Sequence, residues 1–490
     1  MTISFNQIPD TIRVPLCYVE FDNSMAVQGT PNYMSKIMVF GQMLETGAAT
    51  PGSPVQVLSA DHGVKLFGRG SMLAAMFAGL KGANAYTETW AVPLADDAEG
   101  VAASGALTVT GPATGSGTLA LYVAGVRVRV GIAAGDTAAA IATKIAAAIA
   151  AEPDLPVTAA VNGAVPEKVD LTCRWKGETG NAIDLRLGYY GETLPSGVGV
   201  AVTAMSGGTA NPDLADALAA LGDGWWNYLC TPYTDAANMA ALEAELDARG
   251  GPLKMVDGVA FAALAGSHAA ATTWGAARNH QAVSCMAMGQ SPTPPWTWAA
   301  VNCGVAAYHL DIDPARPLQT LELPGCLPPA VEDRWTMVER NLLLYSGLAT
   351  HTVTRDGAVQ IERQITTYQT NSYGLPDPSY LDVTTPATLS YLRYAIRTRI
   401  TQKFPRHKLA DDGTRFSPGQ AIATPRIVRA ELLALFRELE AKGLVENFDS
   451  YKATLLVERD PDDRNRLNVR SNPDLVNQLR IYAQQVQFIL

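Results

Sequence analysis

Histidine is the side chain most often used for acid–base work near neutral pH. This 490-residue chain has only six: His62, His268, His280, His309, His351 and His407. None belongs to an H-E-x-x-H, and none pairs with a cysteine at zinc spacing. The nucleophile elbow G-x-S-x-G and the phosphate loop G-x-x-x-x-G-K-[ST] are both absent. Gly68-Arg69-Gly70 opens a G-x-G but lacks the third glycine. Ser267 and His268 are neighbours in sequence, which does nothing to assemble a triad in space. Ser267 reads better as a helix cap. Asp311 and Asp313, within DIDP, read as turn residues rather than metal carboxylates. The expectation is therefore no catalytic residues, no cofactor and no metal, so the chain is not an enzyme.

Two other features carry more information. Residues 383–410 hold Arg393, Arg397, Arg399, Lys403, Arg406 and Lys408 without one Asp or Glu, in a chain of net charge −10. Leu389, Leu392, Ile396 and Ile400 form a helical stripe there, with Arg393 and Arg397 beside it. The cations either snorkel around a core helix or dock an acidic partner. The second feature is a pair of apolar ends. Near the start Ile12, Val14, Leu16 and Tyr18 alternate as in a strand, and Pro15 favours an edge or exchanged position. The C-terminus runs LRIYAQQVQFIL, and so apolar an end must be buried somewhere. Both ends pair within their own subunit, or one or both add to a neighbour's sheet. The residues alone leave that open.

The elements that position these features divide the chain. Lys36–Gly41, Tyr86–Leu94, Trp225–Cys230, Gly258–Leu264 and Ala282–Ala287 read as strands. Helices come between them: one after Ser71, one opened by Asn211-Pro212, and two more at Asp235–Arg249 and His268–Asn279. That alternation predicts an α/β layered core with a mostly parallel sheet covered on both faces. Residues 99–210 differ in texture. They offer a hairpin turning at Ala124-Gly125, an Ala-rich helix capped by Asp136 with Ile141, Ile145 and Ile149 on one face, and strand-like runs at Pro156–Val161, Val169–Trp175, Ala182–Leu187 and Val198–Ala204. They predict an inserted, protruding α+β module. A Pro-rich stretch, 288–330, wraps a helix near Trp296–His309 and precedes a second fold. That fold has a helix at Glu332–Leu348, a hairpin over Asp356-Gly357, long helices at Pro386–Phe404 and Pro425–Lys442, and a strand at Tyr451–Arg459. The predicted divisions are an N-terminal arm (1–30), the α/β core (31–98 and 211–330), the module (99–210), a C-terminal α+β domain (331–474) and a C-terminal arm (475–490).

Bulk properties agree with a large folded chain. Its length suggests about two to four domains, and 48% hydrophobic against 17% charged residues excludes disorder. The acidic balance, with pI near 5.2, argues against nucleic acid and anionic membrane as partners. Six scattered cysteines without a C-x-x-C imply free thiols. The start lacks a basic, then apolar, signal pattern, and no apolar run approaches the ~18 residues of a membrane span. A soluble chain made in cytoplasm is expected.

Three stretches resemble the tail sheath proteins of Mu-like contractile-tailed phages. They are IPDTIRVPLCYVEFDNSMAVQG (8–29); the segments 118–149, 180–198 and 205–214 of the insertion; and 340–374 with NPDLVNQLRIYAQQVQ (472–487). The resemblance spans essentially the whole chain. It implies a structural virion subunit, assembled in host cytoplasm, that stacks as hexameric rings around the tail tube between baseplate and terminator proteins. Contraction then drives the tube through the host envelope for genome ejection. The sheath of a domesticated injection device or bacteriocin is the alternative. It further implies strand-exchanging terminal arms, placing Ile12, Val14, Leu16, Tyr18, Ile481, Val486, Phe488 and Leu490 in inter-subunit strands. The C-terminal domain would face the tube, with Arg393, Arg397 and Lys403, or Arg426, Arg429 and Arg437, as contacts.

Overall fold

The computed structural model describes residues 13–15, 17–19, 34–417 and 419–489. Close contacts group them into two units, one of residues 34–387 and one running from Thr388 to the C-terminal end together with the described leader residues. Residues 331–387, placed by the sequence with the C-terminal fold, pack in the first unit.

The first unit is built on a six-stranded sheet. Its spatial order is Val283–Gly289, Val259–Ala265, Tyr228–Cys230, Lys36–Gln42, Glu88–Leu94 and Val55–Gln56. All neighbours are parallel except the short last strand. Lys36–Gln42 is buried from Ile37 onward on both faces, which is why it reads as a continuous apolar run. Ile37 and Val39 join one cluster, with Met72, Leu73, Met76 and Phe77 of helix Met72–Ala83. Met38 and Phe40 join the opposite one, with Leu242 and Leu246 of helix Ala236–Gly250. The largely apolar helix Pro295–Ile312 lies in the first cluster, buried nearly all round.

The caps at Ser71 and Ser267 stand where the sequence puts them, and Asp235 caps the helix it was expected to begin. Ser71, Asp235 and Ser267 each accept a backbone N–H of the first turn that follows. Asn211 does not cap its helix. The helix Ala215–Ala219 is short and begins without a side-chain cap, while Asn211 Oδ1 takes the Glu178 N–H at 2.8 Å and its Nδ2 donates to Asp235.

The inserted segment folds as two small sheets and a helix. Gly117–Val123 and Val126–Ile132 form the expected hairpin. Ala124 and Gly125 both take positive φ, 52° and 80°, as a two-residue primed turn requires. Helix Ala138–Ala150 buries Ile141, Ile145 and Ile149, but its cap is Thr137, not Asp136. The Asp136 carboxylate is occupied by the Ala133 N–H and by Lys144. Ser104–Thr110, Lys168–Cys173, Val157–Val161 and Gly199–Ser206 make a four-stranded antiparallel sheet. The apolar residues of this segment are continuous with the core cluster beneath, and Trp175 meets Trp296 edge-on at 5.3 Å.

Helix Met337–Tyr345 is shorter than expected and starts with a Thr336/Glu339 capping box. The hairpin over Asp356-Gly357 pairs Thr350–Val353 with Val359–Arg363. In the second unit, helix Pro425–Ala441 is capped by Thr424. The predicted strand Tyr451–Arg459 is instead helix Phe448–Thr454 followed by strand Leu456–Arg459. Tyr451, within that helix, lies face to face with Phe436, ring centroids 4.0 Å apart.

Candidate assembly surfaces

The residues that could have done chemistry have structural roles. Ser267 Oγ accepts the Ala270 N–H, and His268 Nε2 lies 3.0 Å from the Glu339 carbonyl. Asp313 accepts the Ala315 N–H in a turn, as its sequence suggests. Asp311 accepts the Tyr228 hydroxyl at 3.0 Å, and burial pushes its carboxyl up to about 6. Burial likewise pushes the Cys173 thiol up to about 12 and raises those of Cys285, Cys303 and Cys326, opposing thiolate chemistry. Among the described residues no group of three His, Cys, Asp or Glu side chains could hold a metal ion.

The basic block lies mostly on helix Thr384–Lys403. Leu392 and Ala395 are its buried apolar positions, with Leu389, Ile396 and Ile400 half-buried. Arg399 does not face outward. It is 7% exposed, donates from Nη1 to Glu431 at 2.8 Å, and pairs through Nη2 with Glu438. Arg397 and Lys403 are exposed, and Arg393 is half-buried. On helix Pro425–Ala441, Arg426 is exposed. Arg429 is turned inward, donating to the Leu455 carbonyl at 3.3 Å and to the Lys452 carbonyl at the end of helix Phe448–Thr454. Arg437 sits over the Phe448 ring at 3.4 Å and pairs with Glu440 at 2.6 Å. Of the six candidate contacts, three therefore stand open (Arg397, Lys403 and Arg426), while two (Arg429 and Arg437) are engaged within their own unit.

The terminal residues look quite different. Ile12, Leu16 and Leu490 lie outside the described residues. Val14 is 64% exposed and Tyr18 38%, with the Tyr18 hydroxyl donating to the Val14 carbonyl. Strand Asp474–Leu475 pairs with Val445–Glu446, and residues 476–489 follow it without helix or strand. Ile481, Val486 and Phe488 are 81%, 73% and 80% exposed. The burial expected for Ile481, Val486 and Phe488 is not provided by the described residues.

The sequence reading missed one surface. Helix Met337–Tyr345 buries Leu343 but leaves Met337, Val338, Leu342 and Tyr345 exposed. The sequence predicts only a helix at Glu332–Leu348, and the packing of Leu343 in a cluster with Ala271 and Leu348 shows which side faces in.

Two family models match this chain: the phage tail sheath protein central domain over residues 207–367, and the phage tail sheath C-terminal domain over residues 376–489. The chain belongs to the phage tail sheath family. The Mu-like prophage FluMu tail sheath protein of Haemophilus influenzae is 50% identical to it over 491 residues, covering 100% of both sequences. The crystal structure of a sheath tail protein from Desulfitobacterium hafniense superposes with a TM-score of 0.51 at 14% identity, over 94% of this chain and 97% of that one. At that identity the likeness is one of fold. The protein is thus a tail sheath of the contractile phage type.

Proposed function

We propose that this sheath protein polymerises with itself as stacked hexameric rings around a tail tube, bounded by baseplate and terminator proteins. Contraction of that polymer drives the tube through the host envelope. In this reading the virion carries the protein, which is assembled in host cytoplasm and performs no chemistry. The arms hold the polymer together. Ile12, Val14, Leu16 and Tyr18 at one end, and Ile481, Val486, Phe488 and Leu490 at the other, add strands to neighbouring copies. The observation that carries this reading is the exposure of Ile481, Val486 and Phe488 on a segment with no partner strand among the described residues of its own chain. A unit with a complete core has no internal use for such a tail, whereas a neighbour's sheet edge would bury it. Arg393, Arg397, Lys403 and Arg426 face the tube, and Arg429 and Arg437 hold the helix that presents Arg426.

The test is overexpression followed by negative-stain microscopy. The full chain is expected to form hollow sleeves, and deletion of residues 475–490 is expected to give folded subunits without sleeves. Monodisperse monomers of the full chain at every salt concentration would overturn the sheath assignment. Sleeves from the truncated chain would overturn the role of the C-terminal arm alone.

A further inference from the structure

The inserted segment contains two sheets whose edges are treated in opposite ways. Edge strand Val126–Ile132 of the smaller sheet, VRVRVGI, carries Arg127 and Arg129, both exposed. Charges on an edge are the usual guard against pairing with another chain. The four-stranded sheet has no such guard on either side. Its edges are Gly199–Ser206 (GVAVTAMS) and Val157–Val161 (VTAAV), and neither contains a charged residue or a proline. Residues 201–204 are exposed in succession, so that edge is uncovered on both faces, and Thr158, Ala160 and Val161 are exposed on the other. Neither edge pairs with a further strand among the described residues.

From these edges we infer an interaction surface. The Gly199–Ser206 edge of one copy pairs with the Val157–Val161 edge of the next, continuing the sheet from subunit to subunit. The occupant is a second copy of this chain because the two edges are complementary by construction. The sheet is antiparallel throughout and has four strands, an even number, so its two edge strands run in opposite directions. Copies placed head to tail bring those strands together antiparallel, with main-chain donors facing acceptors. Two different edges make the contact heterologous, the kind that builds an open helical array rather than a closed dimer. Thr203 and Ala160, both exposed and both on one face of the sheet in the row Thr203–Ala106–Asp170–Ala160, would then be neighbours across the seam. This inference rests on the sheath reading and adds a contact separate from the arms.

A charge-swap test uses the full chain. Two double variants are compared with wild type: Thr203→Lys with Ala160→Lys, and Thr203→Lys with Ala160→Glu. Both sites are exposed, and unchanged circular dichroism and melting temperature establish that the subunits fold. The readout is the lowest protein concentration giving sleeves by sedimentation and microscopy. Like charges facing across paired strands oppose pairing and opposite charges favour it. The Lys/Lys chain is therefore expected to need about fivefold more protein than the Lys/Glu chain. Equal thresholds for the two variants, with sleeves forming in wild type, would overturn the edge pairing and leave the sheath reading intact. Failure of the wild-type chain to form sleeves would overturn both.

Discussion

Serine at both Ile481 and Phe488 should uncouple subunit folding from subunit assembly. In the free chain these side chains are 81% and 80% exposed. Folding therefore gains almost nothing from them, and the variant's melting temperature should match wild type, because an exposed substitution shifts stability by about 0.5 kcal/mol or less. If a neighbouring subunit buries them, each contributes roughly 1.5–3 kcal/mol to assembly, or about 3–6 kcal/mol together. At tenfold per about 1.4 kcal/mol, the concentration needed for sleeves should rise on the order of 10² to 10⁴-fold. Analytical sedimentation across a dilution series reads the threshold directly, and a thermal melt of the same sample reads the fold. An unchanged threshold would refute the argument that the arm is covered by a neighbour. A large drop in melting temperature would refute its premise, since it would mean the side chains were already packed within their own subunit.

Two further predictions concern the subunit itself. Arg399→Ala leaves Glu431 and Glu438 without the guanidinium between them; urea unfolding should show a loss of about 3 kcal/mol in the second unit. Burial holds the His351 imidazole down to about 4, with Nδ1–H donating to the Ala287 carbonyl. Because an unfolded histidine titrates near 6.5, His351 contributes full stability above that pH and loses it as pH falls toward 4. The wild type should therefore lose about 2–3 kcal/mol by pH 4.5, while His351→Gln should show a flatter profile in melts at pH 7 and pH 4.5.

What could be read from the chain beforehand follows from how local each signal is. The parallel sheet was legible because Lys36–Gln42 and its partners are short apolar runs separated by helices, and each run is buried on both faces. Caps were legible where one polar residue stood alone before a helix, as at Ser71 and Ser267. They were misassigned where two good candidates competed. Asp136 and Thr137 are adjacent, and Lys144, a residue eight positions away, decides between them by engaging the carboxylate. Asn211 was lost to the cap because Glu178 and Asp235 compete for its side chain. The helix Phe448–Thr454 was misread because the stacking of Tyr451 on Phe436 is invisible to local propensity. At the candidate surfaces, the number of cations in the basic block was plain from sequence. Which cations of that block and of helix Pro425–Ala441 point outward was not, since the roles of Arg399, Arg429 and Arg437 depend on Glu431, Glu438, Leu455 and Phe448, all distant along the chain or across a turn.

The way the inserted segment leaves the core has a mechanical consequence. It departs just beyond strand Glu88–Leu94, which is paired along seven consecutive residues with the central strand Lys36–Gln42, both running the same way. A pull on the insertion along that axis would slide one strand past the other. The whole ladder would then resist together in shear, where a sideways pull would peel its bonds one at a time. A load-bearing shell subjected to a sudden rearrangement benefits from such a seam: the inserted part can be wrenched without unzipping the sheet that anchors it.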